Sequence, residues 1–148
     1  MRGLTGKKPM KSLFVICFAL FQPLFSNAQG HHLTVVIQGV KNGKGVVRVA
    51  LYDRADKFMK EMQYSGSVKA SAGEVHIELE GIAEGYYAAS VVHDANDNGK
   101  MDATNLGIPK EGFGFSNNAR GTFGPPPFDD AKFLFNGQHE IIISLTYY

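Results

Sequence analysis

The sequence predicts an all-β protein: a single seven-stranded antiparallel β-sandwich, immunoglobulin-like or transthyretin-like, with one long ordered loop. Three observations lead to this fold class. Short runs rich in β-branched and aromatic residues recur, and clusters of Gly, Asn and Asp separate them. No segment of about ten or more residues spaces its apolar residues at the helical period of about 3.6. Once a candidate leader segment is set aside, about 120 residues remain, a length that suits one domain.

The predicted strands alternate apolar and polar residues, as strands with one buried face do. Val47, Val49 and Leu51 fall on one face of the second strand and are expected in the core. The Asn42-Gly43 pair favours a tight hairpin turn, so we expect the first two strands to pair antiparallel. In chain order the seven strands cover residues 33–40, 46–52, 66–70, 75–79, 86–93, 132–135 and 140–147.

A polar connection from Asp94 to Asp130 follows the fifth predicted strand. Its length of roughly 37 residues far exceeds the usual connection of about 4 to 6 residues, so the segment is either functional or disordered. It carries Phe113, Phe115, Phe123 and Phe128, and a solvated tail seldom holds so many aromatic side chains. We therefore expect an ordered loop.

Residues 1–28 have the features of a secretory signal peptide. Three lysines precede an apolar run at residues 12–25, and Ser26-Asn27-Ala28 places small residues where a signal peptidase cleaves. The run is shorter than the roughly 20 apolar residues of a membrane-spanning helix, and Pro23 interrupts it. We therefore expect cleavage after the leader and export to the periplasm, the cell envelope or the outside, with one domain over residues 29–148.

The charge balance of the predicted mature chain argues against nucleic acid as a partner. Four of the 15 basic residues and none of the 14 acidic ones lie in residues 1–28, which leaves a formal net charge of −3. Binding to phosphate backbones needs clustered Lys and Arg. The single cysteine, Cys17, also lies in the leader, so residues 29–148 hold neither a disulfide nor a thiolate site. We expect no transmembrane span in the mature chain.

The start of the long loop has the ligand spacing of a calcium-binding loop. Calcium prefers oxygen ligands, and Asp-x-Asn-x-Asn-Gly winds the backbone around the ion, with the glycine at the sharp turn. The expected metal ligands are the side chains of Asp94, Asn96, Asn98 and Asp102 and the backbone carbonyl of Lys100. Calcium is accordingly the cofactor that this hypothesis implies.

Two features leave the calcium hypothesis open. The twelfth position of the loop, where a bidentate Glu is expected, holds Asn105, so Glu111 would have to substitute from further along. Asn-Asp-Asn-Gly is also an ordinary turn sequence, because these residues tolerate left-handed φ and bond their own backbone. A solvated turn is therefore the alternative interpretation. His93 and Asp94 are adjacent on a strand and point to opposite faces, which argues against an acid–base dyad.

The glycine- and phenylalanine-rich stretch further along the loop is the second candidate site. It either lines a ligand-binding groove or caps the open end of the core, and loop aromatics are more often buried than used for binding. Ser116 lacks the strand-turn-helix context of a nucleophile elbow and is interpreted as a loop hydroxyl. The candidate ligand-binding residues are Glu111, Phe113, Phe115, Ser116 and Asn117.

Three motifs of the loop carry a family resemblance. They are His93-Asp94-x-Asn-x-Asn-Gly-x-x-Asp102, the stretch GIPKEGFGFSNN at residues 107–118, and Pro127-Phe128-x-Asp130-Ala131. With these motifs the chain is similar, over most of its predicted mature part, to the secreted bacterial family known as domain of unknown function 2141. The resemblance implies an extracytoplasmic β-sandwich of unassigned activity and adds no catalytic residue. The Gly-Tyr start of the fifth strand also resembles transthyretin-like and surface-protein B-type sandwiches, an analogy of fold alone.

The function that these features favour is a non-enzymatic exported module. Its long loop, organised by calcium, would present a binding surface to a carbohydrate, a peptide or an envelope protein. A metal-dependent hydrolase is the enzymatic alternative, and it would use loop carboxylates such as Asp94, Asp97, Asp102 and Glu111 around a metal with an open coordination position. A structural accessory domain of an envelope assembly is the third hypothesis, in which an edge strand offers main-chain pairing.

Overall fold

The computed structural model describes residues 31–148, so the signal peptide predicted at residues 1–28 lies outside the described residues. Within 31–148 the chain is mostly strand, which confirms the all-β prediction. No helix in this range is long and apolar enough to cross a membrane. The elements in chain order are β1 (His32–Val40), β2 (Val46–Tyr52), β3 (Tyr64–Lys69), β4 (Gly73–Glu80), β5 (Gly85–Asp94), β6 (Gly112–Phe115), a 3₁₀ turn (Ser116–Asn118), α1 (Phe128–Ala131), β7 (Lys132–Phe135) and β8 (Gln138–Ser144).

The strands form two sheets, neither of which closes on itself. The smaller sheet has the order β4-β1-β8. The larger sheet has the order β3-β2-β5-β6, and β7 pairs with the first half of β5. β1 and β8 run parallel, from His32 opposite Gln138 to Gln38 opposite Ser144, and the other strand pairs within residues 31–148 are antiparallel.

The prediction of seven strands is wrong by one, because residues 31–148 contain eight and β6 lies inside the predicted long loop. The other seven strands coincide with predicted ones, with small differences at their ends. β6 has the sequence Gly-Phe-Gly-Phe, and glycine has a low strand propensity. Tertiary packing overrides that propensity: a Cβ added at Gly114 would lie 2.7 Å from Cγ2 of Ile143 on β8.

The expected antiparallel hairpin of the first two strands was also wrong. β1 and β2 lie in different sheets, and residues 41–45 carry the chain from one sheet to the other. Asn-Gly pairs favour a tight turn but do not by themselves choose the partner of a strand. The sheets are not purely antiparallel either, because β1 pairs parallel with the distant β8. Alternation along a strand reports its buried face and not its neighbours.

One cluster of buried apolar side chains draws on both sheets. The alternation predicted for β2 is confirmed, since Val47, Val49 and Leu51 are all buried. Full burial of such a side chain contributes about 1.5–3 kcal/mol to folding. The larger members from the other strands are Leu33, Val35, Ile37, Val40, Val75, Ile77, Leu79, Tyr87, Val91, Phe133, Phe135, Ile141 and Ile143.

A smaller apolar cluster covers part of the outer face of the larger sheet. Ala88 and Phe115 are buried in it, and Phe58 and Phe128 pack against them. The ring of Phe58 lies edge-on to Tyr52 and to Phe128, with centroids 5.2 and 5.8 Å apart. The segment after β2 and the end of the long loop therefore meet over this sheet and leave only part of its face open.

Candidate functional site

Asp94 ends β5 and anchors the first turn of the long loop from inside. Its side chain is 1% exposed. Oδ1 accepts the backbone N–H of Asn98 at 3.1 Å, and Oδ2 accepts that of Gly99 at 2.8 Å and Nε of Arg48 at 3.2 Å. Burial alone raises the pKa of this carboxyl, but the bonds from Gly99, Asn98 and Arg48 outweigh burial and lower the pKa overall. Asp94 is therefore a buried, charged side chain that holds the backbone of residues 94–99 in a turn.

Glu111 fixes the same loop at its other end. It is 6% exposed. Its Oε1 accepts the backbone N–H of Ala95 at 3.1 Å, and its Oε2 accepts that of Asp102 at 3.0 Å. One carboxylate thus ties together both ends of residues 95–102. The calcium-loop spacing hints at this role, since it requires a carboxylate from further along the chain and Glu111 is the candidate.

Three of the predicted metal ligands lie together in the loop. The amide nitrogen of Asn96 donates to Oδ2 of Asp102 at 2.7 Å, and that of Asn98 donates to both carboxylate oxygens of Asp102 at 3.1 and 3.2 Å. The amide oxygens of Asn96 and Asn98 accept the backbone N–H groups of Asn98 and Lys100 at 3.2 and 2.9 Å. The predicted ligands thus close the turn through hydrogen bonds to one another and to the backbone.

The donor set of this loop is oxygen-rich, as calcium requires. Within residues 31–148 no group of three or more His, Cys, Asp or Glu side chains is placed to hold a metal ion. The predicted ligand set has only two carboxylates, and its other three oxygens come from two side-chain amides and one backbone carbonyl, so it would not form such a group. An ionised carboxylate has about four lone-pair sites. Asp102 uses part of this capacity for the two amides, and Oδ1 of Asp94 uses part of its own for the N–H of Asn98.

The candidate ligand-binding residues beyond Glu111 make contacts that hold the loop on the sheet. Phe115 is buried, and Phe113 is half-buried between Phe115 and Tyr148. Ser116 is fully buried, and its Oγ accepts the N–H of Ala89 at 2.8 Å and donates to the carbonyl of Ala131. The side-chain amide of Asn117 donates to the carbonyls of Asp130 and Lys132 at 3.1 and 2.9 Å.

His93 is held by two hydrogen bonds and is 1% exposed. Its Nε2 lies 2.8 Å from the carbonyl oxygen of Lys44, which only accepts, so Nε2 carries the proton. Nδ1 then accepts from the hydroxyl of Tyr147 at 2.8 Å, and that hydroxyl accepts the N–H of Lys41 at 3.0 Å. Burial raises the pKa of Tyr147. His93 therefore joins β5 to the chain end and to the turn after β1.

A groove of about 490 Å³, which no sequence motif predicts, lies on the outer face of the larger sheet. Its floor consists of side chains that point away from the core on β2, β3 and β5. These are Ala50, Tyr52, Ser65, Ser67, Ser90 and Val92. The hydroxyl groups of Tyr52 and Ser90 lie 3.5 Å apart. A second groove, of about 430 Å³, lies between β3 and β4 and lacks loop walls.

Two loops form the walls of the groove on the larger sheet. The turn after β2 contributes Met59 and Met62, and the loop after β5 contributes Gly99, Lys100 and Met101. Arg48 lies at one end, paired with Asp94 and Asp97. The loop at residues 95–102, which Asp94 and Glu111 hold in place, therefore forms one side of the groove. The sequence offered one signal for this arrangement, namely the outward positions of β2 that the alternation implied.

A comparison with known protein families identifies the family of this chain. A family model described as "Uncharacterized protein conserved in bacteria (DUF2141)" matches residues 35–143. The chain belongs to this family. This match confirms the resemblance that the loop motifs indicated. No curated protein and no solved structure gives a match.

The DUF2141 match begins in β1 and ends in β8. It therefore contains the floor of the groove, both of its walls and the two carboxylates that pin the loop. The groove is built entirely from the part of the chain that the family shares.

Proposed function

We propose that the protein is an exported, non-enzymatic binding module that uses the groove on the larger sheet as its binding site. The observation that carries this proposal is the groove itself, an open sheet face between two walls. Pockets of about 300–1,000 Å³ with an apolar lining and a few polar groups are typical of small-ligand sites. The volume of about 490 Å³ falls in that range. We propose an immunoglobulin-like or transthyretin-like sandwich as the frame.

The lining favours a ligand that combines apolar and polar groups. Val92 and the methionines offer apolar surface, while Ser65 and Ser67 offer exposed hydroxyl groups and Lys100 offers a cation. Carbohydrates present apolar C–H faces beside hydroxyl groups, and peptides alternate amides with side chains. A carbohydrate, a peptide or a segment of an envelope protein is therefore the ligand class we propose.

The non-enzymatic part of the proposal rests on how the reactive side chains are used. His93, Glu111 and Ser116 are buried, and each is hydrogen-bonded to backbone groups of this chain. Such bonds hold the loop and the sheet in register. Catalysis would instead need these groups to face a substrate within hydrogen-bond reach. Their contacts therefore support a role in shaping the site.

Export is supported by the sequence of residues 1–28, with its basic start, apolar run and small residues before the predicted cleavage point. We propose the periplasm, the cell envelope or the medium as the place where the protein acts. A metal site suited to millimolar extracellular calcium agrees with such a location.

We also propose that the loop binds calcium. The side chains of Asn96, Asn98 and Asp102 already lie together, and Asp94 anchors the turn at Gly99 as a calcium loop requires. With two carboxylates in the predicted set, the affinity should fall in the weak range, with Kd on the order of 10⁻⁴–10⁻³ M. Calcium would then stabilise one wall of the groove.

Ligand mapping by NMR tests the groove. A panel of monosaccharides, disaccharides, dipeptides and small aromatic carboxylates is added to ¹⁵N-labelled protein, and backbone amide shifts are recorded. The expected shifts lie at Ala50, Ser90, Val92 and Lys100. Binders whose shifts lie elsewhere, or no binder in the panel at millimolar concentration, would contradict the proposal.

A groove-filling substitution provides the control. Ala50→Phe places a ring on the floor of the groove and should abolish the binding of every groove ligand. Thr34→Phe adds a ring at a half-buried, outward position on β1, the central strand of the other sheet, and should leave binding unchanged. If both substitutions weakened ligand binding equally, the cause would be a general loss of the fold and not a blocked groove.

A further inference from the structure

All three methionines of residues 31–148 lie on the walls of one groove. Met59 and Met62 belong to the turn after β2, and Met101 belongs to the facing loop. They are 42%, 56% and 39% exposed. Methionine is ordinarily among the buried residue types, and none of the three contributes to either apolar cluster. Core packing therefore does not account for their positions.

The turn that carries two of the methionines is held in a defined shape. The N–H groups of Lys60 and Glu61 donate to the carbonyl of Lys57, both at 2.9 Å, and Gln63 N–H donates to the carbonyl of Leu51 at 2.8 Å. Met59 has a φ of 62°, in the left-handed region. For a bulky side chain this conformation is uncommon, and such strain costs about 1–3 kcal/mol and concentrates at ligand sites.

The chemistry of the three side chains points to a soft cation. A thioether sulfur is polarisable and uncharged, and soft thioether and thiolate ligands select Cu(I) over hard divalent ions. Methionine has three rotatable bonds beyond Cα, so thioethers that line one groove can adjust their positions to a shared ion. The groove lining contains neither a cysteine nor a histidine. Thioethers are therefore its only soft donors.

We propose that Met59, Met62 and Met101 form a three-thioether site for Cu(I) at the mouth of the groove. The site uses the same walls as the proposed ligand groove and therefore rests on that groove being accessible in solution. It involves no hard ligand, and it is separate from the proposed calcium loop, whose donors are oxygens. Copper enters and leaves as Cu(I), with no redox step at the site.

Methionine-methyl NMR tests this proposal directly. The protein is produced from its full sequence with [¹³C-methyl]methionine, and mass spectrometry defines its N-terminus. Single Met→Leu substitutions assign the three methyl signals, since leucine keeps the apolar volume and removes the sulfur. Ag(I), a redox-inert stand-in, and Cu(I) with a competing chelator under anaerobic conditions are then titrated. The methyl signals of all three residues should shift together at one equivalent of metal.

The substitutions also measure the contribution of each sulfur. Met59→Leu, Met62→Leu and Met101→Leu should each weaken Cu(I) binding by more than about 10-fold, because even outer-shell partners of metal ligands contribute 10- to 100-fold. Zn(II) and Ca(II) should leave the methyl signals unchanged. If Met101→Leu binds Cu(I) as the unsubstituted protein does, or if only one methyl shifts, the three-thioether site is wrong.

The outcome separates this inference from the proposed function. Panel ligands that bind in the groove while the methyl signals ignore Cu(I) and Ag(I) would overturn the metal site alone. Coordinated methyl shifts without any panel ligand would support the metal site and overturn the carbohydrate or peptide proposal. Ala50→Phe, which fills the floor and keeps all three sulfurs, should weaken organic ligands more than Cu(I).

Discussion

Replacement of Glu111 by Gln probes the contact that ties the long loop together. The carboxylate accepts two backbone N–H groups, those of Ala95 and Asp102, on separate oxygens at 3.1 and 3.0 Å. Hydrogen bonds to a charged group contribute about 1.5–3 kcal/mol each. Glutamine keeps one acceptor oxygen but turns an NH₂ donor toward the second N–H. One bond is lost, and the other falls to the strength of a neutral bond.

The expected loss is about 2–3 kcal/mol in the free energy of unfolding, which for a domain of about 120 residues lowers Tm by roughly 10 °C. Urea denaturation and thermal unfolding measure it, with Glu78→Gln on the exposed side of β4 as the matched control. Amide exchange should also quicken at residues 95 and 102. A loss below about 0.5 kcal/mol, equal to that of Glu78→Gln, would refute the assignment of Glu111 as the tie of the loop.

Three further predictions concern the charge of Asp94, the close contact between Gly45 and the carbonyl oxygen of Asp94, and the binding of calcium. Because the pKa of Asp94 is lowered in the folded state, its charged form adds stability that is complete above the unfolded pKa near about 3.9 and is lost as the pH falls through the lower folded pKa. In urea denaturation from pH 6 to pH 2, the advantage of the natural protein over Asp94→Asn should therefore shrink below about pH 4; a constant difference would contradict the account. A Cβ at Gly45 would lie 2.0 Å from the carbonyl oxygen of Asp94 at a φ of 66°, so Gly45→Ala should cost about 3 kcal/mol or more. Gly81→Ala, at a φ of 70° with nothing within 4 Å, should cost only about 1 kcal/mol, and similar losses at both positions would show that the close contact is unimportant. Calcium at about ten times a millimolar Kd should raise the free energy of unfolding by about 1.4 kcal/mol, and Asp102→Asn but not the exposed Asp53→Asn should abolish this rise. An unchanged Tm in calcium and in chelator would mean that the loop is a turn closed by its own hydrogen bonds.

Most of the strands could be predicted from the sequence because each buries one face in a shared core. The alternation of Val47, Val49 and Leu51 predicts that face, and all three side chains are buried in the structure. The partners of the strands could not be predicted, since the same alternation suits any neighbour. The parallel pairing of β1 with β8 and the passage of the chain between sheets at Gly45 depend on contacts between distant residues.

The candidate site was predicted only in part for the same reason. Local spacing identified the turn at Asp94, because a turn is made by neighbours in the chain. The tie made by Glu111 spans 16 residues to Ala95, and no local pattern encodes it. The groove depends on even more widely separated segments, since its floor and walls come from β2, β3, β5 and two loops. Met59 and Met101 line the same groove only after folding.

The measurement that tests the central claim most directly is ligand affinity in a loop variant. If the loop tied by Glu111 is one wall of the binding groove, the strongest ligand from the NMR panel should bind Glu111→Gln at least about tenfold more weakly, a difference of about 1.4 kcal/mol. Glu78→Gln should bind it unchanged. Equal affinity for the natural protein and Glu111→Gln, with both folded at the temperature of the titration, would contradict the account, because binding would then be independent of the loop.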